Sequence, residues 1–485
     1  MRGMKFINQH YKIILFSIPL FSLALHFHVF SLDLIGIHVW RQTETQTVIN
    51  NFYSGDFNIL NPRVNGYADT NQLHRMEFPV MQWLIALLYK IFGQHIYITR
   101  ATVFIIGLFS VYGMFYLCQG VFKNKGIGSV CAWCFNWSPV FYYYTVNPMP
   151  DNFALCCAIW CIAFFYAYIN TDKIKYIAFS AVFLCIATLA KLPFIIYGSF
   201  VFAYIAIALI RKTLPVKNLL KIITIYALCL VPALSWYAWV VPGWANGAIK
   251  GIFDQTLNHP NVGHVITGTI VSVLPELLVN YGSLLFFLAG FYLLYRNKVY
   301  KKTYFPLFAF WGITLIAYFL YEVNMIDLVH DYYLFPFLPP IFLLIAYSSW
   351  WLLAQGRFLR TLSVICLLVL PITAFVRADS RWDTKDPGFN PAYLKYRNEL
   401  RRLTPPGSLC ITYNDCSSYI LLYYIDRKGW SVNENYLDPD LLSSYVSKGA
   451  SYLFLDTQID TFAGIKAHLG EKMFDKETLR VYKLK

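Results

Sequence analysis

Apolar residues run along this chain in blocks nearly as long as a membrane is thick, separated by short polar breaks. A helix needs about 20 such residues to cross the hydrocarbon core. Eleven blocks approach that length, centred on residues 13–31, 100–120, 127–146, 151–169, 176–190, 192–210, 222–241, 281–295, 303–321, 334–354 and 361–376. Only Lys191 separates the fifth from the sixth, which requires a tight turn there. Two regions break the pattern. Residues 33–96 form a long polar connection that ends in the amphipathic stretch PVMQWLIALLYKIFG, and after Val376 the chain becomes charged and polar. The pattern predicts an α-helical polytopic membrane protein of about eleven transmembrane helices over residues 1–376. A small soluble α/β domain is expected to follow over 377–485.

The short connections assign the sides of the membrane, because Lys and Arg concentrate in cytoplasmic loops. VFKNKG (121–126), DKIK (172–175), RKTLPVKNLLK (211–221), RNKVYKK (296–302) and QGRFLR (355–360) carry the cations, and the N-terminal tail adds Arg2, Lys5 and Lys12. The alternate connections, NPMP (147–150), Lys191 and EVNMIDLVHDYY (322–333), are nearly free of them. The N-terminus is therefore expected in the cytoplasm, with the 33–96 loop and the C-terminal domain outside. The first apolar block is too long for a cleavable signal, and no small-residue cleavage site follows it.

Within the C-terminal domain, PAYLKYRNELRRL (391–403) has helical spacing and SLCITY (408–413) reads as a strand. SSYILLYYIDRKGW reads as a helix entering a Gly-terminated turn. DPDLLSSYVSKG is a further helix, and ASYLFLDT and LRVYKL (479–484) are strands. Alternating strands and helices indicate a small α/β layer.

Composition agrees with a membrane protein: 58% hydrophobic and 14% charged residues lie outside the soluble globular range. The net charge of +14 needs no nucleic-acid partner, since many of the cations sit in the cytoplasmic turns. Nine of the eleven cysteines fall inside apolar blocks and read as buried small hydrophobes. Cys410 and Cys416 lie in the external domain, where an oxidising compartment would permit a disulfide.

Candidate chemistry gathers at the predicted external ends of the spans: Glu44, Glu77, Arg100, Asp151, Lys191, Glu276, Glu322, Asp327, His330 and Asp331. Ionisable groups at membrane depth mark function by default. A transporter would place some near the midplane, so this distribution favours a site at the outer surface. Each residue also has a plainer reading. Glu77 and Asp151 suit helix N-termini, Tyr332 and Tyr333 suit an aromatic belt, and Lys191 could snorkel to the surface. His26, His28, His38 and His74 form no zinc spacing, and no metal or other cofactor is expected. No Gly-rich phosphate loop of the nucleotide-binding type occurs.

The series WRQ-T-E-T, NPR-x-NG and EFPV in the first loop resembles the first external loop of GT-C glycosyltransferases, close to bacterial enzymes akin to protein O-mannosyltransferases and the aminoarabinose transferase of lipid A. The resemblance implies a sugar moved, with inversion, from a polyprenyl-phosphate carrier to an acceptor hydroxyl on a lipid, glycan or protein. It also implies a bacterial inner-membrane location with a periplasmic C-terminal domain. By resemblance Glu44 is the catalytic base, where relatives more often carry Asp. Glu77 matches an active-site Glu usually followed by Lys-Pro; Phe78 here replaces that lysine and removes one phosphate contact. Asp151 in NPMPDNFAL resembles a second acidic motif. Lys191, Arg41, Arg100, His330, Tyr332 and Tyr333 are implied around the donor phosphate, the last three through HDYYLFPFLPP (330–340). The rival readings are a lipid or polysaccharide transporter without catalysis, and a ligase that transfers whole glycans.

Overall fold

The computed structural model describes residues 7–66, 68–244, 251–253, 261–326, 330–415, 417–433, 437–457 and 463–485. Asp327 and Cys416 lie outside the described residues. The chain divides into two compact units. One comprises Met1–Ser31, Met76–Phe78 and Thr99–Ser380; the other comprises Leu32–Arg75, Pro79–Ile98 and Arg381–Lys485. The first loop thus folds with the C-terminal region, where the linear pattern had grouped it with the spans.

The first unit is helical. Among the described residues, seven helices are long and apolar enough to cross a membrane, or eight if Val262–Leu278 and Tyr281–Arg296 form one broken span; the rest of the eleven expected blocks are shorter or broken helices. Each shorter or broken block has a local cause. Block 127–146 is not one helix, because Ser138-Pro139 divides it into Lys125–Asn136 and Pro139–Tyr144. Proline cannot donate to the preceding turn, so it begins a new helix instead. Ile174–Ala190 and Phe305–Tyr321 stop at 17 residues, the short limit for a span. Tyr281–Arg296 begins at Asn280, whose φ of 70° bends it 118° from the preceding helix. Asn280 holds that corner by donating to the Trp137 and Leu370 carbonyls at 2.9 and 3.2 Å.

The second unit contains a five-stranded sheet of order β2-β1-β3-β5-β4. Its strands are β1 (Leu409–Tyr413), β2 (Lys428–Val432), β3 (Ala450–Asp456), β4 (Leu469–Lys476) and β5 (Leu479–Leu484). β1 pairs in parallel with both β2 and β3, while β5 runs antiparallel to β3 and β4. The expected strands are β1, β3 and β5. β2 replaces the expected turn at RKGW, and the reason lies at Gly429. A Cβ there would fall 1.7 Å from the Cys410 carbonyl oxygen, so only glycine lets this strand approach β1. β4 escaped the pattern because it is a largely exposed edge strand rich in charge. The 391–403 segment forms two short helices, Pro391–Lys395 and Arg397–Arg402.

First-loop residues are built into this unit. The Gly429 N–H donates to the Asn65 carbonyl at 2.9 Å, covering the β2 edge. Tyr423 and Tyr424, on the buried helix Ile420–Ile425, donate to Asp33 Oδ1 at 2.7 Å and to the Leu34 carbonyl at 2.8 Å. Arg397 pairs with Asp33.

Candidate functional site

In the second unit the candidate chemistry rests on the helix Val39–Ser54. This helix is polar in sequence yet buried along most of its length, from Arg41 through Phe52 apart from Asn50. Burying polar groups is unfavourable unless they are hydrogen-bonded. Thr43 and Thr47 donate back to the Trp40 and Glu44 carbonyls, Gln46 donates to the Tyr89 hydroxyl at 3.0 Å, and Asn51 donates to Asn65 Oδ1 at 3.1 Å. The helix therefore holds its side chains in fixed orientations. Glu44 lies at its centre. Arg41 Nη1 donates to Glu44 Oε2 at 2.5 Å, and His74 Nε2 lies 2.6 Å from Glu44 Oε1. A carboxylate offers about four lone-pair sites.

Arg41, expected at the donor phosphate, is placed on Glu44. His74 was absent from the candidate site, because nothing in its local sequence points to an acid 30 positions away.

The first unit holds a separate constellation around Lys191. Lys191 is extended, with φ −159° and ψ 112°, at the end of Ile174–Ala190 and immediately before the 3₁₀ turn Leu192–Tyr197. Its Nζ lies 2.8 Å from Glu77 Oε1 and 3.8 Å from Asp151 Oδ1. The Tyr333 ring centroid is 5.5 Å away. All three charged side chains are mostly shielded from solvent, at 12%, 11% and 3% exposure, so their attraction is screened far less than at a surface. Glu77 is pinned from both sides: the Trp236 indole donates to the Met76 carbonyl at 3.1 Å, and the Phe78 N–H donates to the Leu189 carbonyl at 2.9 Å. The Phe78 ring packs edge-on against Trp236 at 4.8 Å, filling with aromatic surface the position where the resemblance implies a lysine. Asp151 follows Pro150 in the first turn of Pro150–Thr171, where the helix dipole favours an anion.

The remaining candidates fall into two groups. Tyr332 is buried, with its ring 5.8 Å from that of Tyr144, and the Tyr144 hydroxyl donates to Asp331 Oδ1 at 2.7 Å. These contacts anchor the 330–337 segment, and His330 Nδ1 lies 2.7 Å from the Met325 carbonyl. Arg100 is fully buried and donates to the Val146 carbonyl and Asn147 Oδ1 at 2.9 and 2.8 Å, which ties the helix Ile96–Phe122 to the turn before Pro150–Thr171. Glu276 pairs with Arg377. Among the described residues no group of three or more His, Cys, Asp or Glu is arranged to hold a metal ion.

Comparison with known proteins adds an independent view. Residues 77–239 match the family described as dolichyl-phosphate-mannose-protein mannosyltransferase. That stretch contains Glu77, Arg100, Asp151 and Lys191. A search of curated proteins found no match. Among solved structures, ArnT from Cupriavidus metallidurans bound to undecaprenyl phosphate is similar, with a TM-score of 0.69 at 11% identity over 98% of this chain and 97% of that one. The apo form of the same ArnT gives a TM-score of 0.67 at 12% identity, covering 95% and 97%. At such identity the likeness concerns the fold, and it extends over nearly the whole of both chains. The chain is a polytopic membrane protein with the GT-C fold seen in ArnT, and over residues 77–239 it is similar to the protein mannosyltransferases.

Proposed function

We propose that the protein is a glycosyltransferase that moves a sugar from a polyprenyl-phosphate carrier to an acceptor hydroxyl on the extracytoplasmic side of a bacterial inner membrane. The observation that carries this reading is Lys191, a shielded cation held 2.8 Å from Glu77 and beside Asp151 and Tyr333. It is a suitable partner for a phosphate that gains charge as the glycosidic bond breaks. The related ArnT was captured with undecaprenyl phosphate, which supports a lipid-phosphate carrier here.

In this reading the acceptor oxygen attacks the anomeric carbon from the face opposite the phosphate. Its proton passes to Glu44, whose direction is set by Arg41 and His74. The C–O bond to the phosphate breaks, and its electron pair leaves with the phosphate. A single displacement inverts the anomeric centre. Purified protein given a polyprenyl-phosphate sugar and a mixed acceptor pool is expected to release free polyprenyl phosphate and to form an axial–equatorial inverted glycoside. Absence of turnover, with lipid movement across vesicles instead, would establish the transporter reading.

Orientation has its own test. Reporter fusions after residues 124, 215, 299 and 358 are expected to report the cytoplasm, and those after 60 and 420 the external side. A cytoplasmic signal at 420 would move the C-terminal domain, and the chemistry assigned to its unit, to the wrong face.

A further inference from the structure

The helix Pro150–Thr171 begins with Asp151, beside Lys191, and its last turn carries Asn170. At about 1.5 Å per residue, Asn170 lies roughly 28 Å from Asp151 along this helix, close to the thickness of a membrane core. It therefore marks the membrane face opposite the Lys191 constellation. A separate cavity of about 350 Å³ opens there, lined by Gln119, Gly120, Lys123, Asn124, Lys125 and Asn170. That volume is within the range of small-ligand sites, about 300–1,000 Å³. The lining carries two cations and no acid. Lys123 and Lys125 are exposed, and neither makes an ion pair among the described residues. Lys125 Nζ rests 5.1 Å from the centre of the Tyr11 ring, a contact that leaves its charge unneutralised. Asp172, at the end of Pro150–Thr171, is outside the lining. Asn124 accepts the Gly126 and Ile127 N–H groups through Oδ1 at 2.9 and 3.1 Å, which commits its oxygen and leaves its amide nitrogen to donate. Ammonium and amide donors gathered without a carboxylate suit an anion.

The surface leading to the cavity is apolar. Phe109 and Tyr116 are 56% and 54% exposed, and their spacing puts them on one face of the helix Ile96–Phe122. Lys123 follows at the same spacing, just past the end of that helix. The Tyr116 ring lies 5.6 Å from that of Trp160, whose indole donates to the Phe109 carbonyl at 3.0 Å. Asn170 donates to the Gly120 carbonyl at 3.1 Å, so the same two helices that carry this stripe also frame the cavity. An apolar stripe that ends in a basic pocket at one membrane face is the arrangement that takes a lipid, with acyl chains along the span and the headgroup at the cations. We propose that this cavity is a binding site for the phosphodiester headgroup of an anionic phospholipid, held by Lys123 and Lys125. The assignment is independent of the donor reading above.

Full-length protein in a neutral detergent is titrated by calorimetry with dioctanoyl phosphatidylglycerol, dioctanoyl phosphatidylcholine and inorganic phosphate. Wild type is expected to prefer the glycerol lipid, because the quaternary ammonium of the choline lipid cancels the phosphate charge. Lys123→Gln/Lys125→Gln is expected to weaken phosphatidylglycerol binding by about 25-fold, roughly fivefold for each cation at a membrane surface. Gly120→Leu separates a pocket from diffuse surface charge, since it fills the cavity and alters no charge. A Cβ at Gly120 meets Tyr166 and Asn170 at ordinary contact distances of 3.6 and 3.8 Å, so the fold accepts a side chain there. This variant is also expected to bind the lipid more weakly. Unchanged affinity in Gly120→Leu overturns the pocket and leaves the lysines a diffuse basic surface. Equal affinity of wild type for the two lipids overturns it, as does binding that is lost in Lys191→Met but kept in the double lysine variant. Inorganic phosphate that binds wild type as tightly as the lipid, and fails to bind the double variant, overturns the lipid assignment in favour of a free anion. Absence of polyprenyl phosphate binding, with phosphatidylglycerol binding intact, overturns the donor reading and supports this second site.

Discussion

Glu44→Gln is expected to lower turnover by about 10²–10⁴-fold, the loss typical of a missing general base. Gln keeps the size and hydrogen-bonding capacity of the side chain but cannot take the acceptor's proton. Donor binding is expected to remain, because the lipid phosphate is assigned to Lys191. One physical complication must be separated. Glu44 is paired with Arg41 at 2.5 Å in a buried setting, and removing one partner of such a pair typically costs 3–5 kcal/mol of stability. The variant is therefore compared with Arg41→Met/Glu44→Gln, which removes both charges. Inactive protein of restored thermal stability establishes Glu44 as the base. Recovery of turnover in the double variant shows that the pair only holds the helix, and near-normal transfer by the single variant excludes Glu44 from the chemistry.

Lys191→Ala is expected to weaken donor binding by about 10–100-fold, since a charge-assisted hydrogen bond contributes about 1.5–3 kcal/mol. Lys191→Arg is expected to restore part of it. The guanidinium supplies the charge, but its planar fork does not reproduce the point geometry of an ammonium. Lys191 also neutralises Glu77 and Asp151, so alanine leaves two shielded acids without their cation. The double variant Glu77→Gln/Lys191→Met removes the Glu77 charge with its partner and relieves most of that strain. Donor titration that stays weak in this stable double variant identifies Lys191 as a phosphate ligand. Wild-type affinity in Lys191→Ala would leave it a structural counterion and withdraw the observation on which the donor class rests.

The replacement of the expected lysine by Phe78 narrows what this site can hold. Phe78 packs on Trp236 beside Glu77, so one side of the constellation is aromatic and uncharged. Lys191 meets both acids, which explains why its removal is expected to have so large an effect.

Several features were readable along the chain because they depend on the residue's immediate surroundings. Apolar blocks record immersion in lipid, short buried apolar runs mark β1 and β3, and partial alternation marks β5. The polar run from His38 to Val80 stands out as an unusually long connection. The same local reading gave no sign of the breaks inside two apolar blocks. It could not see that Ser138-Pro139 and Asn280 interrupt apolar stretches, since hydropathy measures composition and not backbone continuity. It likewise missed β2, where a glycine that normally marks a turn instead admits a close neighbouring strand.

By itself the sequence determined the membrane-spanning class, the long first loop, the soluble C-terminal region and the residue types able to do chemistry. Tertiary structure alone decided which of them meet. His74 reaches Glu44 across 30 positions, and Lys191 reaches Glu77 across 114. It also set Arg100 beside Val146 and Asn147, and Arg41 beside Glu44. Periodicity and composition are set by each segment's contact with lipid, water or core. The pairing of distant charges is set by how the segments pack, and a buried charge settles beside whichever partner that packing brings within hydrogen-bond reach.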